Sequence, residues 1–215
     1  MPLVDGLEAY AAIRKAISSS KPPGTLWVVV SFLHPSFRIS ESDPTFFEFL
    51  NAQASRGIDV RVLIWNPQGT RNTFFKSVFR ATHKSHSVLS AVAPNVKVRW
   101  DCSPHYAHCH HEKSWLVDYG LDTEVVFTGG IIPCNSWVTP PGHPRWETRH
   151  DIFVEIRGPS ASDVFHSFVT RWNNAKVSST DPGLCFFPSP SIAGPLAFPD
   201  RPSPVRGTAK VQVIR

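Results

Sequence analysis

The stretch His111-Glu112-Lys113-Ser114-Trp115-Leu116-Val117-Asp118 spells H-x-K-x-x-x-x-D, a pattern that occurs once in the chain. Side chains on an extended strand alternate between faces, so His111 and Lys113 point the same way. An imidazole able to act as nucleophile or general acid then lies beside a compact cation with three hydrogen-bond donors. That pairing suits a phosphate ester. Asp118 has the opposite parity and falls near the expected strand end, where anchoring the backbone is its natural role.

Other reactive side chains crowd the same region. Cys102, His105, His108, Cys109, His110 and His111 fall within ten residues, and thiolate and imidazole are zinc ligands. Their spacing follows no closed structural zinc pattern, so no metal site is assigned and loop histidines near an anionic substrate are the favoured account. Between Pro67 and Trp100 there is no acidic residue, while Arg71, Lys76, Arg80, Lys84, Lys97 and Arg99 are spread along it. Phe74, Phe75, Val78 and Phe79 share one face of a candidate helix there. A core-facing stripe with a solvated basic side is preferred over a membrane-surface helix, and either makes the local potential positive.

The elements that must carry these residues read as α/β. Leu7, Tyr10, Ala11, Ile13 and Ile17 recur at helical spacing and predict a helix over 5–19. Thr25 to Leu33 is a valine-rich apolar run, the mark of a strand covered on both faces. A second helix is expected from Asp43 as N-cap with Pro44 in its first turn, ending before Gly57. Ile58–Trp65 predicts another buried strand, and strand–helix–strand order predicts parallel pairing. Further strands are expected over 96–101, 110–118, 124–129 and 151–156, the middle two as a hairpin across Tyr119-Gly120. Gly158-Pro159-Ser160 opens a helix with Val164, Phe165, Phe168, Val169 and Trp172 as its inner stripe. The expected fold is therefore a mixed, largely parallel sheet flanked by helices on both faces, over residues 1–176. Residues 177–209 carry seven prolines and read as a linker or loop. Lys210–Arg215 alternates like the first strand of a further unit.

Fifteen Phe and seven Trp among 215 residues provide for one well-filled core. The net charge of +5 biases the chain mildly toward anionic partners. No apolar stretch is long enough to span a bilayer, and the first sixteen residues hold charges where a signal peptide needs an apolar core. Four cysteines without a secretion signal read as reduced thiols, so the expected location is cytoplasmic, with peripheral membrane contact allowed.

The motif has company: Gly129-Gly130, Trp146, Asp151, Ile156-Arg157-Gly158-Pro159 and Arg171-Trp172-Asn173 follow it, and Gly57–Trp65 precedes it. In this order the residues resemble the N-terminal half of the phospholipase D superfamily, especially its eukaryotic-type lipid enzymes, over roughly residues 5–176. The resemblance implies one lobe of a two-lobed fold whose two motifs meet in one active site. One histidine attacks phosphorus to give a phosphohistidine, the other protonates the leaving alcohol, and the lysines stabilise the equatorial oxygens without a cofactor or metal. It assigns His111, Lys113 and Asp118 to the catalytic motif. Gly129, Gly130, His110 and Asn135 become the candidate substrate-contacting residues. Ile131, Ile132 and Pro133 stand where the family often carries a polar residue, and the turn from Asp118 to Gly129 is longer than usual. No second H-x-K has a correctly spaced Asp, since His83 and Lys84 are adjacent. The expected partners are a phospholipid substrate and a second lobe or a homodimer mate. Two alternatives stand beside a phosphatidyl-ester hydrolase: a homodimeric single-motif nuclease, and a truncated, non-catalytic lobe.

Overall fold

A computed structural model of the chain describes residues 1–34, 36–66, 91–102, 110–139, 142–143, 148–175, 194–200 and 202–214. The basic segment 67–90, Trp146 and the thiol–imidazole run 103–109 lie outside the described residues.

The strands are β1 (Pro2–Val4), β2 (Thr25–Val30), β3 (Asp59–Asn66), β4 (Lys97–Cys102), β5 (Lys113–Val117), β6 (Val125–Gly129) and β7 (Ile152–Ile156). The helices are α1 (Asp5–Ser19), α2 (Phe46–Ser55) and α3 (Pro159–Asn174). One seven-stranded sheet has the order β1-β7-β6-β5-β2-β3-β4. The α/β class, the mixed sheet and the helices on both faces agree with expectation. The parallel character does not extend across the sheet: only β2–β3 and β3–β4 are parallel. The pairings β2–β5, β5–β6, β6–β7 and β1–β7 are antiparallel. Connection length accounts for β5–β6, which a short turn joins, because a parallel pair needs a crossover of a dozen residues or more. Strand β1, too short to show alternation, had no sequence signal.

The alternation within each strand builds two cores. On one face Val28, Val62, Trp115 and Phe127 pack with Tyr10 and Ile13 of α1 and Phe46 and Leu50 of α2. On the other, Trp27, Val29, Leu63 and Leu116 pack with Val164, Phe165, Phe168 and Trp172 of α3. Trp27 stacks on Phe168 with ring centroids 5.0 Å apart. Burying each such side chain stabilises the fold by about 1.5–3 kcal/mol.

Helix α2 begins two residues later than expected. Thr45 is the N-cap, and its backbone N–H donates to Glu48 Oε2 at 2.9 Å while its hydroxyl reaches the same carboxylate. Asp43 is instead held by Arg14 of α1, whose Nε and Nη2 donate to it at 2.8 and 2.9 Å. Gly57 follows the helix with φ +90°, a left-handed position that glycine adopts without Cβ strain.

Residues 194–200 and 202–214 run without helix or strand, so the alternation at Lys210–Ile214 pairs with no strand of this sheet. This segment lies along α3: Asn173 exchanges hydrogen bonds with the Leu196 backbone at 2.8 and 2.9 Å, and Val213 packs on the α3 core. No described helix is long and apolar enough to cross a membrane.

Thr45→Ala removes the capping box and is expected to destabilise the chain by about 1 kcal/mol. A thermal melt should show a fall in Tm of roughly 2–4 °C; an unchanged melt would place the helix start elsewhere.

Candidate active site

The carboxyl ends of parallel strands β2, β3 and β4 face the start of antiparallel β5, and the motif sits at that edge. His111 and Glu112 precede β5, and Lys113 is its first residue. Val29 of β2 lies opposite Ser114, so the chain leaving β2 passes beside the motif. There Ser31, itself buried, directs its hydroxyl at the carbonyls of His110 and Glu112, 2.7 and 2.9 Å away. The peptides on both sides of His111 are thereby held to the end of β2. Phe32 sets its ring edge-on to the imidazole at a centroid distance of 5.4 Å.

The His111 ring is exposed, whereas Lys113 is only 1% exposed. The Lys113 ammonium donates to the His111 carbonyl at 2.9 Å and lies 2.9 Å from Nδ1 and 3.1 Å from Nε2 of the ring. The two ring nitrogens direct their in-plane groups apart. A single atom near-equidistant from both therefore rests over the ring face and leaves the in-plane direction of each ring nitrogen clear of the ammonium. Partial burial, and then the Lys113 charge, lower the His111 pKa below the ordinary imidazole value, with Asp151 acting in the opposite direction. A neutral imidazole with a free lone pair and an adjacent ammonium can attack phosphorus or hold a phosphoryl oxygen.

The other candidate residues separate into neighbours of this pair and residues that serve elsewhere. Gly129 is the cross-strand partner of Lys113. A Cβ on Gly129 would lie 2.1 Å from the Ile152 carbonyl, so β6 can approach β7 only through glycine. A Cβ on Gly130 would likewise run into the Asp151 carboxylate. His110 turns toward β4, with Nε2 3.7 Å from Asp101 Oδ1. Asn135 is exposed at the start of a short 3-10 turn, and its side chain makes no hydrogen bond among the described residues. Ile131 between them is fully buried in the core.

Asp118 lies at the far end of β5, roughly 16 Å from Lys113 at the usual strand rise. Its buried carboxylate accepts from Thr123 Oγ1 at 2.7 Å and from the Ser20 hydroxyl, and its N–H donates to the Thr25 carbonyl at 2.8 Å. It closes the β5–β6 turn with φ +60°. Its work is anchoring.

Comparison with known proteins places this geometry. Phospholipase D gamma 3 of Arabidopsis thaliana is 24% identical over 193 residues, covering 67% of this chain and 22% of the relative. Phospholipase D C of Dictyostelium discoideum is 24% identical over 256 residues, covering 96% of this chain and 15% of the relative. The solved structure of phosphatidylserine synthase from Haemophilus influenzae Rd KW20 matches with a TM-score of 0.51 at 14% identity, over 79% of this chain and 36% of its own. In sequence the chain resembles the phospholipase D superfamily, and in fold it resembles the synthase. It spans 15% and 22% of the lengths of those two phospholipase D relatives. No family model matches it.

The chain also brings together three residues that sequence reasoning did not group. His143 Nε2 is 2.9 Å from Asp5 Oδ2, and His150 Nδ1 is 2.7 Å from Asp5 Oδ1 and 3.0 Å from His143 Nε2. One carboxylate and two imidazoles form a donor set able to hold a divalent cation. Burial acts to raise the Asp5 pKa, but the His143 and Asp151 hydrogen bonds and the two imidazoles outweigh it and keep the carboxylate ionised. Asp5 lies more than a hundred residues from either histidine in sequence, so no local spacing marks the cluster.

Asp118→Ala leaves the hydroxyls of Thr123 and of buried Ser20 without their shared acceptor. The expected loss is about 2–4 kcal/mol in urea unfolding, with the His111 titration unchanged. A fully stable variant whose His111 titration moves would reverse the assignment.

Proposed function

We propose that this chain is a phosphodiesterase lobe of the lipid-hydrolysing type, in which His111 attacks the phosphorus of a phosphatidyl ester. The observation that carries the reading is an exposed, neutral imidazole resting against a buried ammonium on a phospholipase D superfamily fold. The in-plane lone pair of His111 forms the bond to phosphorus, giving a phosphatidyl-histidine as the head-group alcohol departs. Lys113 stabilises the negative charge on the equatorial oxygens, and its fixed position beside the ring requires no reorganisation during the step. Ser31 and Gly129 hold the geometry: one fixes the peptides around His111, the other admits the close strand packing behind Lys113.

A proton must reach the leaving oxygen, and the chain carries one H-x-K-x-x-x-x-D motif. A second motif, from a further lobe or a mate in a homodimer, would supply that acid. The names of the similar plant and Dictyostelium proteins support a phospholipid as substrate and favour it over nucleic acid. The reaction would take place at a membrane surface, with the protein in peripheral contact.

The test is release of choline or ethanolamine from phospholipid vesicles, with the chain alone and mixed with a second motif-bearing lobe. His111→Ala should lower release by about 10³-fold or more. Because the attacking ring must be neutral and its pKa is lowered, the acid limb of kcat/KM should fall below the ordinary imidazole value of 6.5. Release by His111→Ala at the parent rate would refute the reading.

A further inference from the structure

Glu112, the residue between His111 and Lys113, points to the opposite face of the sheet, and there it meets an arginine that the mechanism does not use. Arg171 lies in the last turn of α3. Its Nε donates to Asp101 Oδ2 at 2.9 Å, its Nη2 reaches the same oxygen, and its Nη1 reaches Glu112 Oε2. The three side chains are largely enclosed, at 15% exposed for Arg171, 10% for Asp101 and 28% for Glu112. Glu112 Oε1 accepts from Ser114 Oγ at 2.8 Å, and Ser114 is 2.9 Å from Thr128 Oγ1, one residue before Gly129. The network thus joins β4, α3, the motif and β6. A cavity of about 760 Å³ opens beside the network, bordered by His110, His111, Glu112, Thr128, Arg171 and Val213.

We propose that Arg171 is a positioning residue for the His111–Lys113 pair. It stakes Glu112 to the α3 face, and so fixes the one residue that separates His111 from Lys113 where the chain enters β5. It also cancels the charge of two enclosed carboxylates behind the imidazole. Only a planar fork can serve Asp101 and Glu112 at once; a lysine supplies the charge without the geometry. Removing it would leave Asp101 and Glu112 uncompensated, and uncompensated carboxylates favour protonated histidine. Among the described residues, the charged and titratable groups around His111 are Lys113 on β5, Asp151 ahead of β7, Asp101 on β4, Arg171 on α3, and its neighbours His110 and Glu112. The consequence for catalysis rests on the phosphodiesterase reading above, whereas the effect on the imidazole does not.

The experiment is a histidine-labelled NMR titration of the full 215-residue chain, which needs no turnover. Arg171→Gln should raise the His111 midpoint by about half a pH unit or more, and Arg171→Gln with Glu112→Gln should return most of it. Arg171→Lys should keep the midpoint near the parent value. In the head-group release assay, both Arg171→Gln and Arg171→Lys should lower kcat more than they raise KM. If Arg171→Gln does not fold, Glu112→Gln alone serves and should lower the midpoint. An unchanged His111 midpoint in folded Arg171→Gln, or in Glu112→Gln, would overturn the proposal. Failure of head-group release with the midpoint shift intact would count against the phosphodiesterase reading alone.

Discussion

A lysine ammonium that is almost wholly enclosed is costly to desolvate, and the rest of this site follows from how that cost is met. Lys113 meets it with the carbonyl and ring of the residue two positions earlier on the same strand edge. That contact is framed by three features: pairing of β5 on both sides, glycine at position 129 where β6 meets β7, and the hold of Ser31 on the carbonyls flanking His111. Partial burial and then the Lys113 charge make the imidazole harder to protonate, so the arrangement that positions the ring also lowers its pKa.

The sheet divides labour along β5. Its beginning carries exposed chemistry next to the carboxyl ends of the parallel strands, the place where open α/β sheets hold ligands. Its end is closed by the buried carboxylate of Asp118, which caps an otherwise exposed turn. The two halves of one eight-residue motif therefore do different things at opposite ends of one strand. This separation explains how a carboxylate can be part of the motif pattern without touching the reacting atoms.

The features legible in the sequence were those set by local periodicity. The apolar run of β2, the stripe of α3 and the β5–β6 hairpin follow from spacing alone, and so does the shared direction of His111 and Lys113. Strand direction was not legible, because whether β5 runs with or against β2 depends on which strands the intervening connections bring together. The N-cap of α2 was misplaced for a related reason: Asp43 satisfies the capping preference locally, but Arg14, 29 residues earlier, takes its carboxylate. Ser31 and Arg171 reach Glu112 of the motif across 81 and 59 residues, and no spacing rule connects them to it. Nor could periodicity show that Asn135 would sit exposed while Ile131 entered the core.

The central claim is that His111 forms a covalent bond to phosphorus while Lys113 holds the charge beside it. Its most direct measurement is mass spectrometry of the chain quenched in alkali during reaction with phospholipid, a condition under which a phosphoramidate survives. The account predicts an acid-labile adduct carrying the phosphatidyl group on the peptide that contains His111, absent in His111→Ala and diminished in Lys113→Met. Substrate turnover with the adduct on another residue, or with none formed, would contradict it.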